Sequence, residues 1–194
     1  MQRDVIIACD FKSAEDTFKF LDLFRDEARK PFLKIGMELF YAEGPEIVRE
    51  IKRRGHKIFL DLKLHDIPNT VKKAMAVLSR LDVDMCNVHA AGTIEMMKAA
   101  QRGAEAGAAE IGAATPATLG ITVLTSMSPE ALAATGVARP LPEQVAALAA
   151  QAKEAGISGV VASPQEAAAL REILGPDAFI VTPGVRPAGA ALGD

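Results

Sequence analysis

No stretch of this 194-residue chain is apolar for long enough to cross a membrane or to act as a signal peptide; the N-terminal run Val5-Ile6-Ile7-Ala8-Cys9 stops at Asp10. A soluble, cytoplasmic protein is expected. Cysteine is scarce. Cys9 and Cys86 lie far apart in strand-like apolar segments with no Cys-x-x-Cys spacing, which suits reduced core thiols rather than a disulfide framework. There is no excess of basic charge either: 22 Lys and Arg against 25 Asp and Glu leave a net charge of −3, with the signs interspersed. No electrostatic footprint for nucleic acid results, so any bound anion must be captured locally. Finally, no Gly-x-Gly-x-x-Gly turn follows the first apolar run, which weakens a dinucleotide-binding reading.

What the chain does have is apolar content, 49% of its residues, enough for one well-buried domain spanning 1–194. Short apolar runs recur at roughly 25 to 40 residues, about the span of a strand plus its crossover helix. The runs predict strands at 5–9, 32–36, 57–63, 85–89, 119–124, 159–162 and 179–182. Amphipathic segments predict helices at 14–29, 45–54, 69–81, 93–106, 142–155 and 165–174. Ser13, Asn69, Thr93 and Ser163 suit helix caps or first turns, and Gly55, Gly107, Gly156 and Gly175 suit helix exits.

Alternating strands and helices imply parallel strands with right-handed crossovers, either in a closed barrel or in an open doubly wound sheet. The charges choose between them. Asp10, Lys34, Asp61, Lys63 and His89 fall at the carboxyl ends of different predicted strands, and Thr125 and Pro183 follow two more. So many contributing strands favour an α/β fold of the TIM (β/α)8 barrel type, whose site is a ring at the carboxyl face. Only seven strand signals precede Gly193-Asp194. The expectation is therefore a C-terminally incomplete barrel, with strand 8 and its helix absent from the sequence.

The densest chemistry follows Ile58-Phe59-Leu60, where Asp61, Lys63 and Asp66 are spaced Asp-x-Lys-x-x-Asp with His65 among them. Strand alternation puts Phe59, Asp61 and Lys63 on one face and Ile58, Leu60, Leu62 and Leu64 on the other. Buried charge is costly and seldom stabilises more than a hydrophobic replacement, so such a cluster usually serves chemistry. The bland alternative is an ion-pair network that fixes strand register. His89 is open between lining the site and a hydrogen-bonded core position, His56 and His65 have no partner that sequence identifies, and Met96 and Met97 read as helix packing.

The run Asp61-Leu62-Lys63-Leu64-His65-Asp66-Ile67-Pro68-Asn69-Thr70 resembles the signature of bacterial orotidine 5′-phosphate decarboxylases. Supporting segments are Ile6-Ile7-Ala8-Cys9-Asp10, Lys34-Ile35-Gly36, Asn87-Val88-His89-Ala90-Ala91-Gly92, Leu124-Thr125-Ser126 and Thr182-Pro183-Gly184-Val185-Arg186-Pro187. The resemblance implies conversion of orotidine 5′-phosphate to uridine 5′-phosphate (UMP), the last step of pyrimidine nucleotide synthesis, with no metal and no organic cofactor. It implies that Lys63 stabilises and protonates a carbanion at C6 of the pyrimidine, beside Asp61, with Lys34 and Asp66 completing an alternating charged array. It also implies a homodimer in which Asp66 and Thr70 reach ribose hydroxyls across the interface. Asp10 and Lys34 resemble further ribose contacts, Thr125 or Ser128 the pyrimidine contact, and Ile67 and Pro183 further substrate contacts. Arg186, after the seventh strand, is the phosphate candidate.

The family continues beyond residue 194 with a glutamine and, after strand 8, a Gly-Arg pair that grips phosphate. A protein ending at Asp194 would be expected to lose much of its activity and stability. Two rival readings share the fold. One is a magnesium-dependent sugar-phosphate decarboxylase or aldolase, of the hexulose phosphate synthase or ketogulonate phosphate decarboxylase type, with carboxylates on the metal. The other is a barrel that holds a nucleotide without turning it over.

Overall fold

The computed structural model describes residues 4–185 and Gly189. In chain order, β1 (Ile6–Ala8) leads to α1 (Ala14–Asp22), and β2 (Phe32–Gly36) to α2 (Met37–Glu43) and α3 (Pro45–Arg53). Next, β3 (Lys57–Leu64) leads to α4 (Pro68–Ser79), and β4 (Met85–His89) to a 3-10 turn and α5 (Ile94–Glu110). Then β5 (Ala117–Ile121) leads to α6 (Pro129–Ala134) and α7 (Leu141–Ala155), β6 (Gly159–Val161) to a second 3-10 turn and α8 (Ala167–Leu174), and β7 (Phe179–Val181) is the last strand among the described residues. Every neighbouring pair is parallel and the order is sequential, β1 to β7.

The two faces of the sheet bury different things. Leu33, Ile35, Ile58, Leu60, Leu62, Cys86, Val88 and Val160 face outward, in one cluster with helix residues such as Val48, Ile51, Met75, Met96 and Met97. The alternate residues Phe32, Phe59, Met85 and Leu119 form a separate cluster, joined by Ile6, Ala117, Val161 and Val181. Residues from all seven strands found among the described residues can meet on one face only if the sheet curls, as the strands of a barrel do. Two residues further along β2, β3 and β4, the inner face turns polar at Lys34, Asp61 and Asn87. The curl thus sets an apolar plug beneath a polar mouth.

Helix packing holds this shape. α5 lies so close to α4 that a Cβ at Gly103 would come within 2.2 Å of the Lys72 carbonyl oxygen, and one at Gly107 within 2.1 Å of that of Ala76. Gly107 is therefore an interior contact of α5, not the helix exit expected from sequence. Gly55, Gly156 and Gly175 do lie just past helix ends, at φ of +86°, +73° and +88°. Ser13, Thr93 and Ser163 cap as expected, through side chains accepting from Asp16, Met96 and Gln165 amides. Asn69 sits in the first turn of α4, behind Pro68.

The first helix is shorter than expected. After Asp22 the chain tightens into i to i−3 bonds, and Lys30 Nζ donates to the carbonyls of Phe24 and Arg25 at 2.6 Å each, closing the turn. α2 and α6, of seven and six residues, were not expected at all. Among the described residues no helix is long and apolar enough to cross a membrane.

Candidate active site

β3 is the centre of the site, and it is irregular. Leu60 pairs with Cys86 and Leu64 with Val88, so Asp61, Leu62 and Lys63 together oppose Asn87 alone. The extra residues are absorbed at Lys63, whose φ of +51° lies in the left-handed region. For a residue with a Cβ this costs on the order of 1 kcal/mol, and such strain clusters at functional positions. The regular alternation expected through Lys63 is interrupted by this bulge.

The charges form a chain across three strands. Lys63 Nζ is 2.7 Å from Asp61 Oδ1, Lys34 Nζ is 3.7 Å from Asp61 Oδ2, and Lys34 Nζ donates to Asp10 Oδ1 at 3.0 Å. Asp61 is 8% exposed, so its carboxylate sits largely out of water between two ammonium groups. Asn87, 1% exposed, adds a donor to Asp61 Oδ1 at 2.6 Å and accepts from the Lys63 amide at 2.7 Å. Of the sequence-derived candidates, the structure thus brings Asp10, Lys34, Asp61 and Lys63 together. Asn87 was not among them; only cross-strand register reveals it.

The other described candidates lie on segments that follow β3, β5 and β7, and none of them joins the chain of charges. Asp66 is exposed, its carboxylate accepts from the Ile67 amide at 2.7 Å, and among the described residues it makes no ion pair. Ile67 is 67% exposed, and Thr70 is exposed on the first turn of α4. Thr125 and Ser128 are exposed in the segment after β5, where Ser128 caps α6. Pro183 is exposed after β7, and Arg186 lies outside the described residues.

The histidines separate clearly. His56 is buried, with Nδ1 3.0 Å from the Pro31 carbonyl, and burial holds its pKa below the ordinary value. His89 is half-buried beside the cluster, its ring 5.5 Å from that of His65. Burial first, then His65 and the Lys63 ammonium, lower its pKa, with Asp61 opposing. Both thiols are buried, which pushes Cys9 and Cys86 up to about 12 and makes them inert at neutral pH.

Sequential parallel β/α units, curled about an apolar interior and carrying an acid–base cluster at the carboxyl ends of β1, β2 and β3, define a barrel-type enzyme architecture. The family model for the orotidine 5′-phosphate decarboxylase / HUMPS family matches residues 3–194, and the chain belongs to that family. It is 51% identical over 190 residues to the orotidine 5′-phosphate decarboxylase of Streptococcus thermophilus (strain CNRZ 1066), covering 97% of this chain and 78% of that one. It is 49% identical over 195 residues to the enzyme of the same name from Bacillus cereus (strain AH187), covering 100% of this chain and 81% of the relative. The crystal structure of orotidine 5′-phosphate decarboxylase from Lactobacillus acidophilus superposes with a TM-score of 0.90 at 41% identity, over 96% of this chain and 83% of that one.

Proposed function

We propose that this protein decarboxylates orotidine 5′-phosphate to UMP, using Lys63 as the catalytic cation and acid. The observation that carries the reading is the Lys34–Asp61–Lys63 chain at the mouth of the sheet. Loss of carbon dioxide from C6 leaves an electron pair in the plane of the ring, where the ring carbonyls cannot delocalise it as an enolate. An ammonium fixed beside C6 stabilises that charge and then delivers a proton to the same carbon. Asp61 holds the ammonium in place and stands near the departing carboxylate.

One ammonium is not enough. Two unit charges about 4 Å apart interact by roughly 4 kcal/mol at an effective dielectric of 20, whereas enzymes lower barriers by about 8 to 23 kcal/mol. Binding of the ribose and phosphate must supply the rest by excluding water and fixing the ring. Asp10 and Lys34 serve the ribose, Thr125 or Ser128 the pyrimidine, and Ile67 and Pro183 pack beside the ligand, with Arg186 on the phosphate. The exposed Asp66 and Thr70 fit a role in a second copy's site, which makes the working unit a homodimer. The reaction belongs in the cytoplasm, in keeping with the unpaired buried thiols.

The chemistry runs without metal or organic cofactor in this reading. It is supported by the occupation of Asp61: its Oδ1 already receives Lys63 and Asn87, and Lys34 lies near Oδ2, which disfavours ligation of a divalent cation. Release of carbon dioxide with formation of UMP, measured with and without a chelator, tests the proposal. Equal rates in both arms are expected. Loss of activity on chelation, with turnover of a sugar phosphate instead, would favour the metal-dependent relative, and nucleotide binding without turnover would favour a binding protein.

A further inference from the structure

We propose that Asn87 is a positioning residue for the Lys63 ammonium, an inference that rests on the reaction just described. At the β3 bulge the backbone ladder fails, because three residues of β3 face one residue of β4. The orphaned Lys63 amide donates instead to Asn87 Oδ1 at 2.7 Å. The other end of the same amide donates from Nδ2 to Asp61 Oδ1 at 2.6 Å, the very oxygen that receives Lys63 Nζ at 2.7 Å.

One planar group therefore fixes both ends of the lysine: the backbone from which the side chain departs and the carboxylate that receives its tip. The chemistry of the partners sets the amide's orientation, since a backbone N–H needs an acceptor and a carboxylate needs a donor. Only a side chain carrying both, at this length, satisfies the two at once. At 1% exposure Asn87 is also locked by its surroundings. It touches no reacting atom in this reading; it acts through Lys63 and Asp61.

Two substitutions separate positioning from bulk stability. Asn87→Leu keeps the branching at Cγ, with more bulk, and removes both bonds. Asn87→Asp keeps the acceptor for the Lys63 amide and sets a second carboxylate beside Asp61. A displacement of the ammonium by about 1 Å is expected to lower kcat about 100-fold in both, with KM changed less than about threefold. A kcat within about threefold of the parent in both variants would overturn the proposal. So would a loss of kcat that merely tracks melting temperature, with KM rising in step.

The backbone amide proton of Lys63, followed by NMR, reads the clamp without turnover. Its resonance should stay downfield in the parent and in Asn87→Asp and shift upfield in Asn87→Leu; an unmoved resonance in Asn87→Leu contradicts the proposal. Where the parent does not decarboxylate, kcat reads nothing, and this resonance alone decides for or against Asn87.

Discussion

Lys63 Nζ lies 2.7 Å from Asp61 Oδ1, an ion pair between residues two apart on one strand. In a regular strand both side chains would stand parallel on the same face; here the pair forms at a bulge where Lys63 takes a positive φ. Strain in the backbone and attraction in the side chains are thus coupled at one residue.

Asp61→Asn is expected to break this arrangement from the acidic side. Without the carboxylate, the Lys34 and Lys63 ammonium groups, both held near it, repel each other and separate. Turnover should fall about 100-fold or more while the fold survives, since the amide retains one acceptor for Asn87. Steady-state kinetics beside circular dichroism checks this, and a fully active variant would contradict it.

Stability should depend on pH through two histidines. His56 and His89 both have folded pKa values held below 6.5, chiefly by burial, so the unfolded chain binds protons that the folded chain resists. Stability is full above about pH 6.5, where both states are neutral, and declines as pH falls through the lower folded values. Melting temperature should therefore drop between pH 7 and pH 5, and His56→Gln should flatten part of that slope. A profile unchanged by the substitution would contradict the assignment.

Gly107→Ala is expected to destabilise by about 1 to 3 kcal/mol, through overpacking at the α4–α5 contact. The added Cβ would meet the Ala76 carbonyl carbon and oxygen at 2.8 Å and 2.1 Å, and backbone yields poorly. Urea unfolding measures the loss. An unchanged midpoint would mean that the helices part without cost.

Much of this was legible from the chain. The seven strands show as short apolar runs because both faces of each are covered, and Asp61, Lys63 and Lys34 stand out as charges where burial disfavours them. α2 escaped notice because it starts directly at the end of β2, capped only by the Gly36 backbone, and runs for too few residues to display a helical period. The strand expected at 119–124 begins earlier, at Ala117, since Ala117 N donates to the Asp84 carbonyl and so joins the ladder despite its weak strand propensity. The bulge at Lys63 and its clasp by Asn87 depend on the register between β3 and β4, which no local pattern encodes. Asp66 and Thr70 are exposed, and no contact among the described residues assigns either of them a role.

The most direct measurement compares Lys63→Ala with the parent for loss of orotidine 5′-phosphate absorbance, together with affinity for UMP. Decarboxylation should vanish while nucleotide affinity persists within about tenfold, because the cation acts on charge that develops only as the bond to C6 breaks. Turnover by Lys63→Ala within about tenfold of the parent would contradict it.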